Sequence, residues 1–165
     1  GISSTTLSGI FMGKLPRSCL IGFVPSNAYN GAIATSPFVF KHFDVSYVGL
    51  SVNGVPTPST VFQPDFASAN CVREYRHFLD NIGVGTDNVG FNVCFKRYIS
   101  NMSVFTYDLS PDLCNGYHDH PDNSGYVSLD LRFKNPLPEN ITVIIYATYN
   151  EALLIDRDGN VTHQQ

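Results

Sequence analysis

The chain has 165 residues, of which 15% are charged and 13% aromatic, with 12 Phe, 9 Tyr and no Trp. This length fits a single domain around one core, and an aromatic-rich, charge-poor composition suits half-buried sheet surfaces better than exposed helices. A net charge of −4, with Lys and Arg clustered no further than pairs such as Lys96-Arg97, excludes the basic footprint of direct nucleic-acid binding.

The opening residues "GISSTTLSG" are small and polar, so residues 1–9 are expected as a flexible leader or linker before a domain spanning 10–165. They carry no initiating Met, basic segment or signal-type apolar run. The chain is therefore expected to be a piece left after leader removal, or one domain of a longer protein. Residues 19–24 of "LPRSCLIGFV" form a Pro-bounded apolar run that reads as a buried strand. "PSNAYNGAIATSP" follows as a loop, rich in Asn, Gly, Ser and Pro. In "FDVSYVGLSV" the alternation sets Val48, Leu50 and Val52 on one face and Val45 and Tyr47 on the other, and Asn53-Gly54 then supplies the positive-φ pair of a tight hairpin.

Between residues 69 and 82 the period changes. Val72, Tyr75, Phe78, Leu79 and Ile82 fall at helical spacing, with Arg73, Glu74, Arg76 and His77 mostly off that stripe, and one helix is expected there. "GVGTDNVG" closes it, and "NVCFKRYI" and "SVFTYDL" read as a return to strands. In "YVSLDLRF", Val127, Leu129, Leu131 and Phe133 point one way and Ser128, Asp130 and Arg132 the other. "ITVIIYATY" is apolar on both faces, which predicts a central position in a sheet. It is also the longest strongly apolar segment, well below the ~20 residues that span a bilayer, so no membrane span is expected. Short strands separated by turn signals predict an all-β sandwich.

Chemistry-bearing motifs are sparse. "IDRDGNVTHQQ" offers Asp156, Asp158 and Gly159, but a calcium loop that begins at Asp156 would need its Gly at position 6 and a Glu at position 12. Here Gly occupies position 4, so the segment reads as a polar turn leaving a last core strand, with Leu154 and Ile155 packed. His118 and His120 flank Asp119 in "NGYHDHPDNSG". They are weak metal candidates, because i, i+2 imidazoles converge only on an extended backbone and the surrounding residues mark an exposed loop.

No Gly-x-Ser-x-Gly and no Cys with a local activator is present, so no catalytic residue is assigned. The carboxylates Asp65, Glu74, Asp80, Asp87, Asp108, Asp112 and Asp130 are dispersed in sequence, and convergence of two of them as a glycosidase pair is left to the fold. The cysteines Cys19, Cys71, Cys94 and Cys114 lack Cys-x-x-Cys spacing, which disfavours zinc and leaves free thiols or two disulfides open. Sequons at Asn101, Asn140 and Asn160 are glycosylation sites only for a secreted chain. No cofactor is expected.

Motifs spread from end to end carry a resemblance. "LPRSCLIGFVPSNAYNG", "SPFVFKHFDVSYVGLSVNGVPTPS", "FQPDF" leading into a helix with Tyr75-Arg76, "FTYDLSPDLC", "LDLRFKNPLPENITVIIYA" and "LLIDRDGNV" occur in matching order and spacing. Together they are similar to the C-terminal half of the hexon-like, double-jelly-roll major capsid protein of Polinton/Maverick elements and adintoviruses. The resemblance implies a single jelly roll, two packed four-stranded antiparallel sheets with one short helix in a connection. It also implies a non-enzymatic virion protein in which two such domains per subunit and three subunits per capsomer tile an icosahedral shell.

The implied partners are further copies of the chain, as a homotrimer, together with an N-terminal jelly roll or neighbouring capsid subunits. Two departures stand out: the family's upstream jelly roll is absent from this sequence, and "HDHPDN" is more polar than its counterpart, although His118 sits where the family usually has His. Contact surface is expected in exposed aromatics and in the loops 27–36 and 83–90. The alternative expectation is a co-opted single jelly roll, secreted, that binds a carbohydrate, lipid or receptor through its end loops.

Overall fold

The structure is a computed structural model that describes residues 1–84, 93–111 and 121–164. In chain order its elements are β1 (Ser4–Lys14), β2 (Ser18–Pro25), α1 (Ser26–Tyr29), β3 (Val45–Val52), β4 (Val55–Pro56), α2 (Val72–Asn81), α3 (Phe95–Asn101), β5 (Val104–Asp108), β6 (Ser124–Phe133), β7 (Ile141–Thr148), β8 (Ala152–Ile155) and β9 (Val161–Gln164). The strands pair antiparallel in three sheets, ordered β1-β6-β3-β4, β5-β2-β7 and β8-β9. The chain is thus mostly β. Among the described residues the sheets hold four, three and two strands, where the resemblance implied two sheets of four.

The first two sheets face each other across one core. The inward side of β6 is the alternating set read from the sequence, with Val127, Leu129, Leu131 and Phe133 buried. Opposite them β2 presents Ile21 and Phe23, and the Phe23 ring lies 6.0 Å from that of Phe133, edge to face. Phe62, fully buried, reaches between the sheets to Phe105 at 6.1 Å and Tyr107 at 5.2 Å. The Tyr107 hydroxyl donates to the Val48 carbonyl at 3.2 Å, which satisfies a polar group that would otherwise be costly to bury.

Asn53 and Gly54, at φ 52° and 81°, make the two-residue turn between β3 and β4. Positive φ at both centres matches the strand twist. Val45 departs from the simple alternation. A register shift between Val45 and Tyr47 turns Val45 into the core beside Val48 and Leu50, while Tyr47 lies outside with the Arg132 guanidinium 4.6 Å from its ring centre.

Four other expectations change. Residues 4–9, read as part of a leader, belong to the first half of β1, and Ser4 to Leu7 pair with β6 before a register shift between Leu7 and Phe11; their mostly small, polar side chains suit the outer strand of a sheet. "FKRYISN" is the helix α3, with Tyr98 fully buried and Phe95 and Ile99 packed against the core at helical spacing. With α1 and α2 the described helices number three, where one was expected. In α2 the predicted stripe is mostly kept, with Phe78 buried and Tyr75, Leu79 and Ile82 packed against the core, but Val72 is 61% exposed and Glu74, expected off the stripe, is buried. Finally, β7 is not central: it pairs with β2 and, among the described residues, lies at the edge of its sheet.

Candidate functional site

The chemistry-bearing side chains are mostly committed to structural bonds. Asp80 takes a two-pronged contact from Arg76, with Nη2 at 2.9 Å and Nε at 3.0 Å. Asp108 accepts from the Ser110 N–H and hydroxyl, Asp130 from Thr6, and Asp65 from Ser68 and Lys134. Asp80 and Asp108 do share one cavity of about 250 Å³ with Pro58, His77, Asn81, Thr106 and Tyr107. Burial lowers the His77 pKa, with the Arg73 charge acting in the same direction and Asp80 in the other. Among the described residues no group of three or more His, Cys, Asp or Glu is arranged to hold a metal.

His118, His120, Asp87, Asp112 and Cys114 lie outside the described residues. Cys19, Cys71 and Cys94 are free thiols, and burial pushes the Cys19 thiol up to about 12, far from a reactive thiolate. The sequon residues Asn101, Asn140 and Asn160 are all exposed. At the first of these, Ser103 is fully buried, its hydroxyl donating to the carbonyls of Tyr98 and Ile99.

The turn at Asp156 is closed on itself. Its Oδ1 accepts the N–H groups of Asp158 and Asn160, both at 2.8 Å, and its Oδ2 accepts Asn160 Nδ2 at 2.7 Å. These bonds, the Asn160 amide first, hold its carboxyl below the usual range. The turn matches the polar exit expected from the sequence, but its flanks do not. Leu154 and Ile155, expected packed, are 53% and 72% exposed. The physical reason is that β8 pairs with β9 rather than with either large sheet.

The surface features that stand out are therefore apolar. In the connection from β2 to β3, Tyr29, Ile33 and Phe38 are all exposed, Ile33 completely. This includes the 27–36 loop named as a contact surface; of the 83–90 loop, Gly83 and Val84 are described. The β8-β9 hairpin forms a second apolar patch with Leu153, Leu154, Ile155 and Val161. A third is a groove of about 490 Å³ where the sandwich edge is open, lined by Leu7, Leu131, Phe133, Leu137, Ile141 and Val143. Sequence reasoning missed the hairpin patch because local pattern cannot tell a terminal core strand from a projecting one.

No protein-family profile matches the chain, and no solved structure is significantly similar to it. The chain is 27% identical over 150 residues to an uncharacterized protein of Caenorhabditis elegans, a match that covers 89% of this chain and 36% of that protein. The chain thus spans little more than a third of the length of the curated relative it matches.

Proposed function

We propose that the chain is a non-enzymatic, capsid-type structural domain of jelly-roll topology, which works by trimer formation and shell contact. The observation that carries this reading is the distribution of exposed groups. Tyr29, Ile33 and Phe38 crowd one loop and stand in water, whereas Asp65, Asp80, Asp108 and Asp130 are bonded to neighbouring side chains or backbone. Such a surface acts through complementarity with another surface. The similarity in motif order to double-jelly-roll capsid proteins supports the same reading, as does the antiparallel sandwich. The test is negative-stain imaging and mass measurement of the product of the complete reading frame. Trimeric, pseudo-hexagonal capsomers are expected, and a monomer at every concentration would overturn the proposal.

A second reading has one observation of its own. The 250 Å³ cavity beside His77, Asn81, Thr106 and Asp108 offers the polar set that a sugar requires. A secreted, ligand-binding jelly roll would give a positive glycan array, and His77→Ala would abolish that signal. A capsid-type domain gives none.

A further inference from the structure

The turn that leads into β3 is held by a side chain. The Asp44 N–H donates to His42 Nδ1 at 2.9 Å, two residues back along the chain. This is the bond of an Asx turn, with an imidazole nitrogen in place of the usual Asn or Asp oxygen. Phe43 and Asp44 both lie in the left-handed region, at φ 46° and 51°. Neither is glycine, and a ring-bearing residue such as Phe43 stays there only where its surroundings hold it.

The turn is tied to the sandwich at both ends. The His42 carbonyl accepts the Val45 N–H at 2.9 Å, and the Asp44 carbonyl accepts the Lys134 N–H at 2.9 Å, just past the end of β6. Val45, 1% exposed, opens β3 opposite Phe133, next to the register shift between Val45 and Tyr47. The His42 ring lies flat against Phe66, with centres 4.4 Å and planes 10° apart. Phe66 is itself buried and meets Phe105 edge to face at 6.4 Å. A cavity of about 190 Å³, bounded by Asp44, Pro64, Phe66 and Lys134, adjoins this stack.

An acceptor at Nδ1 requires the neutral ring, with its hydrogen on Nε2. The charged groups of the segments packed here are Lys41 and Asp44 on the turn itself, Asp65 beside Phe66, and Lys134 past β6. Lys41 lies over the Phe43 ring, its Nζ 5.9 Å from the centre, and Lys134 is paired with Asp65 at 3.4 Å. Asp44 Oδ1 stands 3.2 Å from Nδ1, where it is the partner ready for a proton on that nitrogen. Burial lowers the His42 pKa and the Asp44 charge offsets this in part, so the neutral ring is the form that the fold favours.

We propose that His42 is a proton-operated latch, which holds the turn 42–45 closed while neutral and releases it when charged. A proton taken from water onto Nδ1 occupies the lone pair that accepts the Asp44 N–H, and sets two donors against each other. The ring N–H then bonds Asp44 Oδ1, and the Asp44 N–H turns out to water with the peptide that joins it to Phe43. The left-handed pair relaxes, the backbone bond from Lys134 to Asp44 loosens, and the start of β3 frays from the end of β6. Phe66 loses its cover on the same side. Because the folded ring gives up its proton more readily than a free one, the latch is complete above about pH 6.5 and is lost as pH falls through the lower, folded value. The device works within one copy of the chain and is independent of the assembly reading above.

The experiment is an NMR titration of the full 165-residue chain from about pH 7.5 to about pH 5, following the His42 ring protons and the amides of Asp44 and Val45. The wild type is compared with two variants, with circular dichroism checking that each is folded. His42→Asn supplies an oxygen that accepts the same N–H without titrating, and His42→Phe keeps a ring against Phe66 but offers no acceptor. In the wild type the Asp44 amide is expected to move with the midpoint of the His42 ring, and its protection, corrected for the intrinsic pH dependence of exchange, to fall about tenfold. In His42→Asn the amide stays protected throughout, and in folded His42→Phe it is unprotected throughout. An Asp44 amide that does not follow the ring in the wild type overturns the latch. So does one that moves with the same midpoint in His42→Asn, because Asp44 or Asp65 would then be the group responsible, and so does one still protected in folded His42→Phe.

Discussion

Two strands of one sheet, β2 and β7, are both rich in apolar residues and have opposite fates. Both are apolar on both faces, and they pair along their full length from Ser18 opposite Thr148 to Pro25 opposite Ile141. On β2 the inward side chains Cys19, Ile21 and Phe23 meet the core, and the outward Val24 is also fully buried. The outward face of β2 is covered by the following connection: the Phe40 ring sits so close that a Cβ on Gly22 would come within 2.4 Å of it.

On β7 the inward Ile141, Val143 and Ile145 are packed but half-buried. Outward Tyr146 is 66% exposed. Among the described residues, a strand written for coverage on two sides receives it in the first case and not in the second. The difference teaches that β7 carries an apolar pattern suited to an interior strand while lying, among the described residues, at the edge of its sheet.

The comparison can be broken or sharpened by substitution, beginning with the covered side. Phe62→Ala removes a ring that touches both sheets and lies under the Arg73 guanidinium at 5.2 Å. It should cost about 3–5 kcal/mol, seen as an early urea midpoint. Gly22→Ala forces the Phe40 ring away from β2, and a loss of about 1–3 kcal/mol is expected; no change would mean that the cover over β2 is loose.

Glu74 tests the price of burying charge on the helix side. Its carboxyl is pushed up by burial, against hydrogen bonds from its own N–H and that of Gln63 and the Arg73 charge. Because the folded value lies above the unfolded one, stability is present at low pH and declines as pH rises from about 4.5 through the folded value. Glu74→Gln should therefore raise the melting temperature by a few degrees at pH 7, with the gain shrinking at pH 4. His42 and His77, both lowered by burial, act in the opposite sense. Their stability is complete above about 6.5 and falls as pH drops below it.

The smallest effect is expected on the uncovered side. Tyr146→Lys should change monomer stability by less than about 0.5 kcal/mol, where Val24→Lys on β2 would abolish folding.

Much of this was legible in the sequence where a residue's neighbours in the chain decide its position. The β6 alternation, the Asn53-Gly54 turn, the helix that became α2 and the buried β2 run are of that kind. What was not legible depends on the topology. Position within a sheet is set by which strands pair, so nothing local in "ITVIIYAT" distinguishes a centre from an edge. "FKRYISN" is short enough that its helical spacing competes with a strand reading. Glu74 entered the buried stripe because its carboxylate finds N–H donors across the connection at Gln63, a contact between separate segments. The turn at Asp156 was readable in its polarity. The exposure of Ile155 and Val161 beside it was not, because it depends on where the hairpin is rooted.

The most direct test of the account is amide hydrogen exchange on β2 and β7, followed by mass spectrometry as protein concentration is raised. Protection of β2 that is high at every concentration, with protection of β7 rising as the chain self-associates, is the predicted result. Protection of β7 that stays the same from dilute to concentrated protein would contradict it, because the strand would then have no partner to gain.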